Sequence, residues 1–142
     1  ESKSYSLDTL TKATNLVLRG AKLIGANSDL TGPIENGIAP ACRALIAPIE
    51  LATGKQAYFC GKPNPLMMRT GLQILGCHSA EAVMVGDRMD TDIVSGMESG
   101  MSTVLVLSGV STRETIDTFG YRPTVVLNGV GDIVTIADTQ KK

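Results

Sequence analysis

The stretch Ala82–Asp92, AVMVGDRMDTD, limits what this chain can fold into more than any other. An apolar run, Ala82 to Val85, stops at Gly86-Asp87, and a second carboxylate, Asp92, follows where a helix begins. The pattern predicts a strand that delivers an acid at its carboxyl end. In open α/β sheets, ligands occupy the crevice outside the carboxyl ends of the strands, so an acid placed there meets substrate or metal rather than core. The glycine before it allows backbone and ligand to approach closely. Two carboxylates converging at such an edge make a hard-oxygen site suited to Mg²⁺, which binds through one or two carboxylates plus substrate phosphate oxygens. A structural reading competes with this one, because Gly-Asp is ordinary turn chemistry and Asp87 could cap a helix.

The rest of the chain alternates around that stretch. Apolar residues at helical intervals predict a helix over Leu7–Arg19, closed by Gly20, and KLIGA predicts a short strand over Lys22–Ala26. Gly32-Pro33 and Gly37 predict irregular chain as far as Pro40, and a helix follows over Ala41–Ala52. Ala57–Gly61 reads as a buried strand running into Lys62-Pro63-Asn64-Pro65, and Pro65–Leu75 as a helix ending at Gly76. Beyond the central strand the pattern predicts a helix over Asp90–Ser99, a strand over Thr103–Leu107 and a short helix over Glu114–Phe119. A strand over Thr124–Leu127 and a closing helix over Val130–Ala137 complete it. From residue 57 onward this order implies an α/β fold with a parallel sheet covered on both faces. Gly54-Lys55-Gln56 is the expected boundary between a smaller α/β portion, residues 1–56, and the sheet portion, residues 57–142.

Charge and cysteine usage narrow the function classes. Lys plus Arg number 13 against 14 for Asp plus Glu, which favours neither nucleic acid nor an anionic membrane as partner. Three widely separated cysteines, Cys42, Cys60 and Cys77, lack the spacing of a disulfide framework or a zinc site, so a cytoplasmic protein with reduced thiols is expected. At 142 residues and 43% apolar the chain is long enough for one good core, and no apolar run reaches the length of a membrane span. The amino terminus carries no signal-peptide pattern.

If consecutive strands lie parallel, Lys62, Asp87 and Ser108 leave the same sheet edge, since each follows the carboxyl end of its strand. A lysine beside a carboxylate-held Mg²⁺ can neutralise one phosphoryl oxygen while the metal handles another, which is the charge stabilisation that phosphoryl transfer needs. The bland alternatives are a solvated surface lysine at Lys62 and a plain turn at Ser108-Gly109. His78, the one histidine, sits in a turn between a helix and a strand and reads as a solvated loop residue rather than a general base.

Together GKPNP, VMVGDRMDTDI and SGMESGMSTVLVLSGV resemble the carboxyl-terminal half of a haloacid dehalogenase (HAD) superfamily phosphatase. Within that superfamily the likeness is to the class IIA group of NagD-like nucleotidases, phosphoglycolate phosphatases and p-nitrophenyl phosphatases. The upstream GAKLIGANSDLTGP is similar to that group's cap domain. The resemblance implies a Rossmann-like parallel sheet, the carboxyl half of the HAD core, over residues 57–142, and part of an α/β cap over residues 1–56. It implies an Mg²⁺-dependent phosphomonoesterase working through an aspartyl-phosphate on small phosphorylated metabolites such as nucleotides or sugar phosphates. Lys62 then matches the lysine that steadies the phosphoryl group and nucleophile. Asp87 matches the acid that ligates Mg²⁺, and Asp92 the second acid of that motif, supporting the metal's water shell or the lysine. Arg88 is expected from the resemblance along the phosphate edge, either turned toward substrate or paired with a carboxylate such as Asp90, and Ser108 is expected along the same edge. The group's cap pattern Thr-Asn-x-Asp appears here with Ala26 in place of threonine, which makes Asn27 and Asp29 cap-loop structure first and substrate-facing second. Pairing into a homodimer through the cap is a further expectation of the resemblance.

One departure from the family is decisive. Its members attack phosphorus with an aspartate on their first core strand, followed two residues later by an acid–base aspartate. The only Asp-x-Asp here, Asp90-Thr91-Asp92, follows no apolar run of its own, and the Ser/Thr motif that normally comes next is missing. The expectation is a fragment of a longer phosphatase that does not turn over substrate alone, with an open sheet edge beside the metal-motif strand. Two other classes stand against this reading. A receiver-like module is opposed by motif order, since Lys62 precedes Asp87 and no early acidic pair follows a strand. A non-catalytic binding or scaffold domain of the same fold remains open on sequence alone.

Overall fold

The computed structural model describes residues 5–134, and their contacts divide the chain into two compact units, residues 1–61 and 62–142. No described helix is long and apolar enough to cross a membrane.

In the first unit, helix α1 (Leu7–Leu18) begins where Ser6 and Thr9 exchange side-chain and backbone hydrogen bonds, a reciprocal cap that satisfies amides the helix start would leave unpaired. Helix α2 (Cys42–Thr53) packs against α1 and stops at Gly54, whose φ of 66° suits glycine alone without strain. Strand β1 (Ile24–Gly25) comes between the two helices. The segment expected to be irregular forms a hairpin instead, β2 (Thr31–Ile34) paired antiparallel with β3 (Gly37–Pro40). Pro33 and Pro40 did not forbid it, because in a two-stranded ribbon every strand is an edge strand and can lack a donor on its open side.

The strand expected over Ala57–Gly61 is β4 (Tyr58–Phe59), and it does not join the sheet of the second unit. It runs parallel to β1, with Ile24 opposite Tyr58 and Gly25 opposite Phe59, and Tyr58 and Cys60 donate to the carbonyls of Leu23 and Gly25. Gly25 makes this pairing possible, since a Cβ there would lie 2.5 Å from the Phe59 ring. The expectation of one continuous sheet from residue 57 onward is therefore corrected. Apolar periodicity identified β4 as a strand but carried no information about its partner.

The second unit holds a three-stranded parallel sheet. Its strands β5 (Val83–Gly86), β6 (Ser102–Val106) and β7 (Val125–Leu127) lie in that order, with Gly86 opposite Leu105 and Val106 opposite Leu127. Helix α3 (Pro65–Leu75) precedes β5. Its first turn is capped by Asn64, which accepts from the Leu66 amide, with Pro65 at the first helical position. Between β5 and β6 a wide π-turn (Met89–Ile93) leads into helix α4 (Val94–Glu98), and helix α5 (Arg113–Asp117) connects β6 to β7. Gly96 lets α4 settle on the sheet, because a Cβ there would meet Thr103 at 2.6 Å and Met84 at 2.7 Å. Met89, Ile93, Leu105 and Ile116 form the core, with Leu107, Phe119, Tyr121 and Val126 packed around them. The closing helix expected over Val130–Ala137 is a turn at Val130 and Gly131 and helical at 132–134, and its remainder, 135–137, lies outside the described residues. Among the described residues β5 is paired on one side only, and Val83 and Val85 on it are exposed.

Candidate active site

The chemistry collects where β5 ends. Asp87 is the first residue past the strand, and the π-turn that follows folds Asp92 back beneath it. The wide turn arises because the amides of both Asp92 and Ile93 reach the Arg88 carbonyl, at 3.1 Å each. Ser95, fully buried, donates its hydroxyl to the carbonyls of Thr91 and Asp92 and holds the exit of the turn. Gly86 makes the room, since a Cβ at that position would lie 2.3 Å from the Asp92 carboxylate.

Asp92 is 2% exposed and satisfied on every side. Its Oδ2 accepts the amides of Asp87 at 3.1 Å and Arg88 at 3.0 Å, and its Oδ1 accepts the Lys62 ammonium at 2.5 Å. A buried carboxylate with this many donors is a fixed anchor that positions both a cation and a strand end. Arg88 is held in turn by Asp90, through Nε to Oδ1 at 3.0 Å and a terminal nitrogen to Oδ2 at 2.8 Å, a two-pronged pair that fixes the guanidinium plane. Asp87 is left as the carboxylate at this strand end with no cationic partner among the described residues.

The loop after β6 wraps Asp87 from the other side. The Val110 amide donates to Asp87 Oδ2 at 2.8 Å, and the Ser111 amide donates to the Asp87 carbonyl at 3.0 Å. Gly109 lies so close that a Cβ would meet Oδ2 at 2.0 Å. Ser111 accepts the Met89 amide on its hydroxyl at 3.1 Å, and the Tyr121 hydroxyl donates to the Met89 carbonyl at 2.8 Å. Burial, then the nearby charges of Asp90 and Glu98, hold the Tyr121 phenol above its ordinary value of 10.0.

The donor chemistry fits a hard divalent cation in one respect. Asp87 offers an uncompensated carboxylate whose Oδ1 has no hydrogen-bond donor among the described residues, whereas Asp92 already shares its Oδ1 with an ammonium that would repel a metal. No group of three or more Asp, Glu, His or Cys side chains converges among the described residues.

The structure thus brings Lys62, Asp87, Arg88 and Asp92 together. Lys62 arrives by a different route from the one its sequence position implied, since the strand before it belongs to the other unit's pairing. Ser108 follows β6 at the same edge as Asp87 and is exposed. Asn27 and Asp29 belong to the first unit, where the Asp29 amide donates to Asn27 Oδ1 at 3.3 Å and the Asp29 carbonyl accepts the Arg43 amide. Sequence reasoning passed over Val110, Ser111, Ser95 and Tyr121. Their part in the site runs through backbone groups and buried hydroxyls, which leave no pattern in the order of residues.

Residues 59–133 match the family described as HAD-hydrolase-like. The chain is 50% identical over 133 residues to the dihydroxyacetone phosphatase of Corynebacterium glutamicum, an alignment covering 94% of this chain and 48% of that protein. It is 41% identical to the ribonucleotide monophosphatase NagD of Escherichia coli, whose solved structure superposes with a TM-score of 0.84 over 93% of this chain and 52% of that one. The 4-nitrophenylphosphatase of Thermotoga maritima superposes with a TM-score of 0.88 at 30% identity, over 94% of this chain and 51% of that one. The chain spans about half the length of the curated relatives it matches. The family match, the sequence identities and the superposed α/β fold agree, and the chain belongs to the HAD-hydrolase-like family, in the group of NagD and the p-nitrophenyl phosphatases.

Proposed function

We propose that this chain supplies the lysine and metal-ligand side of an Mg²⁺-dependent phosphomonoester hydrolase acting on small phosphorylated metabolites. The observation that carries the reading is the junction at the end of β5. There one buried carboxylate, Asp92, anchors Lys62 and the amides of Asp87 and Arg88, while Asp87 keeps a carboxylate oxygen outside the hydrogen-bond network.

Such a junction is organised before substrate arrives. Asp92 holds the Lys62 ammonium in place, so a phosphoryl oxygen approaching it meets a positive charge without the protein having to reorganise. Asp87 would hold Mg²⁺, which when bound supplies charge neutralisation and orientation at the phosphoryl group. Asp90 keeps Arg88 beside the same edge as a second cationic surface for a phosphate ester. The aspartate nucleophile expected from the resemblance is not among the groups at this junction: Asp90 is engaged by Arg88 and Asp92 by Lys62. The reading therefore assigns the nucleophile to residues outside this chain, with this chain inactive by itself. Relatives bearing the names dihydroxyacetone phosphatase, ribonucleotide monophosphatase and acid sugar phosphatase support a small phosphate monoester as the substrate class.

Hydrolysis of p-nitrophenyl phosphate tests this, measured with and without Mg²⁺ on the 142-residue chain and on the longer protein that carries it. The longer protein should show Mg²⁺-dependent turnover that drops about a hundredfold or more in Asp87→Ala, the scale of losing one preorganised electrostatic contact. Turnover without metal, or an Asp87→Ala variant of undiminished activity, refutes the assignment. Absence of turnover in both proteins favours a non-catalytic domain.

A further inference from the structure

We infer that Ser111 is a positioning residue for the Asp87 carboxylate, clamping the strand end so that one carboxylate oxygen stays available for a cation. The inference rests on the reading of Asp87 as the Mg²⁺ ligand and extends it to a residue with no chemical signature of its own.

Ser111 is 3% exposed, and it spends both its amide and its hydroxyl on one short segment. Its amide donates to the carbonyl of Asp87 at 3.0 Å, and its hydroxyl accepts the amide of Met89 at 3.1 Å. Arg88 is bracketed between these two bonds. The preceding residue, Val110, donates its amide to Asp87 Oδ2 at 2.8 Å, so the direction of that amide depends on where Ser111 is seated. On the opposite side Asp92 accepts the amides of Asp87 and Arg88. The strand end is therefore held in a vice, with Asp92 as one jaw and the Val110-Ser111 peptide as the other. Because Oδ2 is taken by Val110, the carboxylate cannot rotate freely and Oδ1 keeps one presentation.

An apolar residue at 111 would retain the backbone bond to Asp87 and lose the hydroxyl that seats the loop on Met89. Met89 is 1% exposed, so water cannot take the place of that hydroxyl and the loop must shift to relieve the unpaired amide. The Val110 amide moves with it. Metal sites respond strongly to such outer contacts, which orient the ligand rather than touch the ion.

The test uses the isotope-labelled 142-residue chain as wild type, Ser111→Ala and Ser111→Thr. Each is titrated with MgCl₂ while the amide resonances of Asp87, Arg88 and Val110 are followed, and amide hydrogen exchange is recorded in parallel. Half-saturation should rise roughly 10–100-fold in Ser111→Ala, the usual effect of removing an outer contact at a metal site, and return close to wild type in Ser111→Thr, which keeps the hydroxyl. Exchange should quicken at Val110 as well as Met89 in Ser111→Ala, while the amides of β6 and α3 keep their protection. An unchanged half-saturation, faster exchange at Met89 alone, or uniformly faster exchange across the unit overturns the inference. If the wild-type resonances do not respond to Mg²⁺, the ligand reading of Asp87 fails in this chain. The hold of Ser111 on Asp87 is then decided by exchange alone, upheld by local acceleration at Val110 and overturned without it.

Discussion

Asp92 is where a single substitution separates two kinds of loss. Asp92→Ala removes the acceptor of two backbone amides and the partner of Lys62 at once. An amide left without an acceptor costs about 1–3 kcal/mol when fully buried, and the low end applies here because Asp87 and Arg88 are only half-buried and water can reach them. That gives about 2 kcal/mol for the pair of amides. The ammonium adds less, because the Lys62 side chain is 39% exposed and can rehydrate, so solvent screening limits its share to about 1 kcal/mol. The sum is a loss of about 3 kcal/mol for Asp92→Ala. Asp92→Asn keeps the shape and one carbonyl oxygen for the two amides but turns its NH2, a donor, toward Lys62, whose ammonium then swings out to water, so its loss should be about 1 kcal/mol. Urea unfolding of the chain followed by circular dichroism reads both values as shifts in midpoint at constant slope. In the hydrolysis assay the two variants should be similarly impaired, because both release Lys62 from its anion. If Asp92→Ala lies within about 0.5 kcal/mol of wild type, as ordinary surface substitutions do, Asp92 is not the anchor of this strand end. Equal destabilisation by Asn and Ala would also refute the reasoning, since it would mean that the backbone acceptor contributes nothing.

Further expectations follow from the same geometry. Gly109→Ala drives a methyl group to within 2.0 Å of Asp87 Oδ2, so it should cost about 1–3 kcal/mol by overpacking and weaken the response of the Asp87 amide to Mg²⁺, both measurable on the purified chain. A Gly109→Ala variant with wild-type stability and Mg²⁺ response would show that the loop yields freely. Tyr121 predicts an alkaline limit. Its phenol is raised above 10.0 in the fold, so the folded chain retains a proton that the unfolded chain has already released. Its contribution is complete below pH 10 and is lost as pH rises through the raised value. Stability measured by urea unfolding should therefore fall above about pH 10 in wild type more steeply than in Tyr121→Phe, which at neutral pH gives up about 1 kcal/mol for the lost bond to the Met89 carbonyl. Parallel pH profiles for the two proteins would remove Tyr121 from the account.

Much of this architecture was legible without coordinates. Helix α3 follows from Asn64-Pro65 at its start and Gly76 at its end, because capping is settled by neighbours within a turn of the chain. Strand β5 and the acid at its end follow from an apolar run broken by Gly-Asp. The hairpin β2–β3 was not legible, because Pro33 and Gly32 read as breakers and only the pairing with Gly37–Pro40 makes their segment a strand.

The sequence by itself determined which groups were available for chemistry: a lysine in a stiff Pro-flanked loop, two acids around a strand end, and glycines where carboxylates needed space. Tertiary structure alone decided which of them meet. Lys62 reaches Asp92 across 30 residues although the strand before it pairs with β1, and Ser111 reaches Met89 across 22 residues through a hydroxyl. Local propensities act over a few residues and are written in their order. Strand partners and buried hydrogen bonds depend on which distant surfaces pack together, and that choice belongs to the whole fold.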